Sequence, residues 1–138
     1  MAQILAIDYG KARCGIAVTD DLQLIASSLK TVAAAELMSF LKDYFAEHEV
    51  ATVVVGQPVD LRGNMSEIER DILKFLSIFR TEFPDKEIAR YDERFTSKIA
   101  SYTISQSGKN RKSRQEKGLI DRISATIILQ NYLEHKQR

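Results

Sequence analysis

With 138 residues, 44% of them hydrophobic and 28% charged, the chain has the size and composition of one folded domain and too many core formers for a disordered one. No apolar run reaches the roughly 20 residues that cross a bilayer, no secretory leader is expected, and Cys14 alone with two distant histidines excludes an internal disulfide and a zinc site of ordinary spacing. The net charge of +1 is unevenly divided: residues 106–118 hold Lys109, Arg111, Lys112, Arg114 and Lys117 against Glu116, so this stretch carries +4 and the remainder −3.

The opening third reads as β-structure. Ile4-Leu5-Ala6-Ile7 is a short apolar run ending in Asp8-Tyr9-Gly10, which is turn chemistry. A second strand is expected over 15–19, stopped by Asp20-Asp21, and a third from Leu24 towards Val32; short connections make the three an antiparallel meander. The period then lengthens. Leu37, Phe40, Leu41, Tyr44 and Phe45 follow the three-and-four spacing of an amphipathic helix over about 33–48. Thr52-Val53-Val54-Val55-Gly56 is a continuous β-branched run, the signature of a strand buried on both faces.

Pro58 and Gly63-Asn64 mark a loop. Ser66 followed by Glu69 has the pattern of a capping box, opening a second helix whose apolar face is Ile68, Ile72, Phe75, Leu76, Phe79 and Phe83, ended by Pro84. A fifth strand is expected over 88–92, a helix over 96–106, a basic Gly-punctuated loop, and a last helix over 119–134. The right-handed crossover rule makes the fourth and fifth strands parallel. The expectation is an α/β chain, a single domain spanning 1–138, with a five-stranded mixed sheet in the order βββαβαβα plus a C-terminal helix and helices on both faces. A meander extended by parallel strands is the ribonuclease H-like plan.

Three acids sit at the ends of elements: Asp8 closes the first strand, Glu93 follows Asp92 at the end of the fifth, and Asp121 lies in the first turn of the last helix. Strand ends that leave an open α/β sheet on one side bring their side chains into a common crevice. Clustered carboxylates repel and need compensating cations. Magnesium or manganese matches an oxygen-only ligand set, and a pair of such ions can activate water against a phosphodiester. Each acid also has a plainer explanation. Asp8 suits an Asx-turn, Asp121 a favourable helix dipole, and Glu93 a rim pair with Arg94 or Arg90. The basic stretch equally suits a phosphate-binding segment or a solvated loop.

The local strings add a resemblance. Ile7-Asp8-Tyr9-Gly10-Lys11-Ala12-Arg13-Cys14-Gly15-Ile16-Ala17, Val54-Val55-Gly56-Gln57-Pro58 with Gly63, Asp92-Glu93-Arg94-Phe95-Thr96-Ser97, and Lys117 and Asp121 with Ile123-Ser124-Ala125 and Ile127-Ile128-Leu129-Gln130 resemble, in order, four motifs of the YqgF family of Holliday-junction-resolvase-like and pre-16S rRNA nucleases. Gln57 and Ser124 depart from that pattern, which usually has an apolar residue and an alanine there. The resemblance implies a ribonuclease H-like fold and a metal-dependent nuclease acting on the 5′ end of precursor 16S rRNA, and the lone Cys14 with no expected leader makes a cytoplasmic location the expectation. It makes Asp8, Glu93 and Asp121 the catalytic and metal-holding acids, Arg13 and Arg94 phosphate contacts beside the basic stretch, and Gly10, Gly15 and Gly56 turn-forming glycines. Three competing readings remain: a resolvase of branched DNA, a non-catalytic RNA-binding or ribosome-assembly module, and the phosphate hairpin of actin-like and sugar-kinase ATPases. The expected partners are nucleic acid and no membrane, with the chain a monomer or weak homodimer.

Overall fold

The computed structural model describes residues 2–58, 67–92 and 113–136; for Asp92, 113–122 and 135–136 it describes the backbone alone. Five strands form one sheet: β1 (Gln3–Asp8), β2 (Arg13–Thr19), β3 (Ala26–Ala33), β4 (Val50–Gln57) and β5 (Glu87–Asp92), in the spatial order β3-β2-β1-β4-β5. The β1–β2 and β2–β3 pairs are antiparallel, whereas β1–β4 and β4–β5 are parallel. A 3-10 turn (Ala34–Glu36) leads into α1 (Leu37–Glu47), α2 (Ile68–Glu82) joins β4 to β5, and α3 (Ser113–Lys136) follows. The helix expected over 96–106 lies outside the described residues.

Strand alternation sorts the core into two layers. On one face Leu5, Ile7, Cys14, Ile16, Val53 and Val55 meet Leu37 and Leu41 of α1 and Ile72, Phe75, Leu76 and Phe79 of α2. On the other, Ile4, Ala6, Ala17 and Val54 meet Ala125, Ile128, Leu129 and Leu133 of α3. The α3 face of the sheet is the smoother one, since alanines at 6 and 17 let the helix approach closely. β4 is buried on both faces, as its unbroken β-branched run predicts.

Among the boundaries that differ from the sequence reading, two have a clear local reason. β3 begins at Ala26, because the Asp20 carboxylate accepts the amides of Leu24 (2.8 Å) and Ile25 (3.2 Å) and holds these residues in the turn, where both are exposed. α3 begins at Ser113, six residues before the expected start, so Arg114 and Lys117 lie on helical backbone rather than in a loop. Gly118, read as loop punctuation, costs a helix only about 1 kcal/mol, and strong helix formers surround it.

Candidate metal centre at the strand ends

Asp8 is the last residue of β1, the central strand. It follows Ile4 and Ala6 in the alternation and so lies on the α3 face. Tyr9 turns the other way, its ring 5.4 Å from Phe75 of α2, which fixes the end of the strand. Burial, aided by Cys14 and Asp71, pushes the Tyr9 phenol above its ordinary range, so it stays protonated and is no base at neutral pH.

The neighbours of Asp8 explain two glycines of the first motifs. Asp8 pairs with Gly15 of β2. On its other side the ladder runs Ile7–Val55, so the next position brings Asp8 level with Gly56 of β4. Paired positions share a face, so the carboxylate stands between two residues without side chains. Beyond Gly56, in register, stands Tyr91 of β5, half-buried and packed on the α3 layer. The row across this end of the sheet is therefore Gly15, Asp8, Gly56, Tyr91. The sequence reading gave Tyr91 no role; its alternation with Ala89 was the signal available.

Gly10 has a different task from Gly15 and Gly56. A Cβ on Gly10 would lie 2.3 Å from the Arg13 carbonyl oxygen. The turn between β1 and β2 closes only because that atom is missing. Lys11 is exposed in the same turn and Arg13 is half-buried where β2 begins, so both cations sit at the Asp8 end of the sheet. Lys11, quoted within the first motif but assigned nothing, is a further candidate for phosphate contact.

α3 crosses the face that Asp8 occupies, packing through Ala125, Ile128, Leu129 and Leu133. Asp121 is one turn ahead of Ala125 on its backbone. Ser124, where the motif usually has alanine, is fully buried, and its hydroxyl has no hydrogen-bond partner among the described residues. Glu93, Arg94, Lys109, Arg111 and Lys112 lie outside the described residues, and the side chains of Arg114, Lys117 and Asp121 are likewise not described. Among the described residues, no three His, Cys, Asp or Glu side chains gather. The donor chemistry at Asp8 nonetheless fits a hard cation. Among the described side chains, Cys14 is buried in the opposite layer and His48 stacks on Tyr44 beyond α1, so neither of these shares the Asp8 face.

Glu69 and Arg90 form a pair that no local pattern in the sequence indicates. Glu69, in the first turn of α2, is buried against Arg90 of β5, with Nη2 2.7 Å from Oε1 and Nη1 3.0 Å from Oε2. Arg90, one of two cations expected beside Glu93, is thus engaged from the α2 side; Ser66 lies outside the described residues.

A family model described as RuvX, Holliday junction resolvase, matches residues 2–135. A relative from Flavobacterium johnsoniae is 52% identical over 137 residues, covering 99% of both chains, and one from Bacteroides thetaiotaomicron is 45% identical over 137 residues with the same coverage. Both bear the provisional name of pre-16S rRNA nuclease. The solved structure of T. thermophilus RuvC in complex with a Holliday junction substrate superposes with a TM-score of 0.57 at 15% identity, covering 99% of this chain and 96% of that one, so the two share the ribonuclease H-like fold. In its four motifs, in its sheet order and over nearly its whole length, the chain belongs to the RuvX family, the one its motifs resemble under the name YqgF.

Proposed function

We propose that this chain is a divalent-metal-dependent nuclease whose substrate is the 5′ end of precursor 16S rRNA in the cytoplasm. One observation carries the reading: Asp8 ends the central strand between two glycines, on the face crossed by the helix that bears Asp121. β5 lies two strand spacings from β1, roughly 10 Å, and Tyr91 shares the Asp8 face. Glu93 lies outside the described residues and joins the proposed set on its motif, directly after β5 in sequence. Asp8, Glu93 and Asp121 are then the residues that would hold magnesium or manganese. When bound, such ions supply an activated water and charge compensation for the leaving oxygen.

The chain's own groups do the rest. Gly15 and Gly56 keep side chains away from the Asp8 carboxylate, leaving room for a phosphate. Lys11 and Arg13 neutralise backbone phosphates at the rim, and Arg94 with Lys109, Arg111, Lys112, Arg114 and Lys117 extends that contact without reading bases. RNA is favoured over branched DNA because the full-length relatives carry the rRNA name. Branched DNA remains the second reading, favoured by the family description and by the junction-bound RuvC. Paired, symmetric nicks would require a dimer, whereas trimming an RNA end works as a monomer.

The test offers 5′-extended 16S rRNA and a four-way DNA junction to the protein with and without magnesium or manganese. Metal-dependent shortening of the RNA, lost by at least 100-fold in a folded Asp8→Asn variant, is the expected result. Cleavage of the junction alone would move the substrate to DNA. RNA binding with no cleavage under any metal would make the chain a binding module.

A further inference from the structure

The sheet face opposite Asp8 holds a device that the nuclease reading leaves unused. Four bonds leave the Arg90 guanidinium. Nε donates to the Val55 carbonyl at 3.1 Å, Nη2 to the Gly56 carbonyl at 3.0 Å and to Glu69 Oε1 at 2.7 Å, and Nη1 to Glu69 Oε2 at 3.0 Å. Glu69 is 1% exposed. A carboxylate so buried is tolerable only when paired and hydrogen-bonded, and the two-pronged geometry with arginine also fixes direction. The fork therefore ties together three elements: the end of β4, β5 two residues before its end, and the first turn of α2.

Each tie bears on the metal centre. Gly56 is the β4 neighbour of Asp8, and β5 runs from Arg90 directly to Asp92 and on to Glu93 in sequence. A glycine at a strand end is conformationally loose, and the carboxylates proposed for this end repel one another until cations arrive. Arg90 follows Ile88 on the α1–α2 face, so it acts through the backbone and reaches neither phosphate nor metal. Resting on the nuclease reading for the identity of the carboxylates, we propose that the Arg90–Glu69 fork is a positioning pair that holds the ends of β4 and β5 at the spacing the metal centre requires. It pre-organises that spacing before any cation binds.

A merely structural pair predicts something different. Replacing both partners of a buried ion pair by apolar residues often leaves overall stability near the parent's. The Glu69→Leu/Arg90→Leu double variant therefore separates positioning from folding, and Arg90→Lys keeps the charge without the fork. In metal-free protein, amide exchange at Asp8, Gly56 and Gln57 should accelerate at least 10-fold in both variants while Ile4, Leu5 and Ala6 keep parental protection. The magnesium concentration at half-shift of the Asp8 amide resonance should rise several-fold. Single-turnover cleavage at saturating RNA should fall at least 10-fold with RNA affinity unchanged. Parental exchange and parental magnesium response in a folded double variant would overturn the proposal, as would an exchange increase spread evenly over all strands. If the parent protein itself cleaves nothing, the nuclease reading fails, and the exchange and titration results still decide whether the fork positions these strand ends.

Discussion

Gly10→Ala tests whether the turn after β1 sets the position of Asp8. The added Cβ would stand 2.3 Å from the Arg13 carbonyl oxygen, where ordinary contact begins at 3.4 Å, so about 1.1 Å must be found. The Arg13 side cannot readily yield. Arg13 pairs with Ala33, and the adjacent Ala12 carbonyl accepts the Ala34 amide at 3.0 Å, so this wall is anchored in the ladder to β3. The strain must pass back through Tyr9 to Asp8. Overpacking of this kind costs about 1–3 kcal/mol, which for a chain of this size lowers the melting temperature by roughly 3–12 °C. A displacement near 1 Å at a catalytic group costs on the order of 100-fold in rate. Urea denaturation and single-turnover cleavage, the latter far below the melting temperature, measure the two effects separately. A variant that melts within a degree of the parent and cleaves at its rate would refute the argument that this turn is closed by the missing side chain.

Three further outcomes follow from particular residues. Ser124→Ala should stabilise by about 1 kcal/mol, because it removes a buried hydroxyl with no partner among the described residues and improves helix propensity; a destabilised variant in urea melts would mean the hydroxyl is bonded. Changing Lys109, Arg111 and Lys112 together to Ala should weaken RNA binding across sequences and flatten the salt dependence by roughly 0.7 per lost phosphate contact on a single strand; affinities of an Asp8→Asn background at several salt concentrations read this directly. The amides of Leu24 and Ile25 hold Asp20 below the usual carboxylate range. Its contribution is therefore present above its unfolded value and lost as pH falls through the lower folded one. Below about pH 4 the parent should lose stability more steeply than Asp20→Asn, as acid titrations of thermal stability will show.

The sheet was legible because its strands advertise themselves. The apolar runs at 4–7 and 15–19 and the β-branched run at 52–55 mark the strands, and the crossover rule sets β4 parallel to β5. Position along the chain also revealed Asp8, since an acid closing an apolar strand can lie only at its end. What the sequence leaves unread depends on distant partners or on context. The Glu69 carboxylate is held by Arg90, 21 positions away, which no local pattern encodes. Gly118 suggested a break that neighbouring helix formers override. The small-residue flanks of Asp8 depend on register between three strands, and no single-strand pattern encodes register.

The layer formed by α3 has a consequence for how the chain emerges during synthesis. Its partners Ile4, Ala6 and Ala17 lie in the first two strands, whereas about 80 residues separate the end of β3 from the start of α3. At the usual 5–20 residues per second, that interval lasts roughly 4–16 s. Throughout it, the meander can pair its strands locally, but among the described residues no helix covers its α3 face until α3 emerges. The opposite layer closes sooner, as α1 follows β3 directly. The nascent chain thus passes through a half-dressed sheet with one apolar surface open to chaperones or to other chains. Asp121 and the cover for that surface arrive on the same helix, so completion of the proposed ligand set coincides with completion of the core.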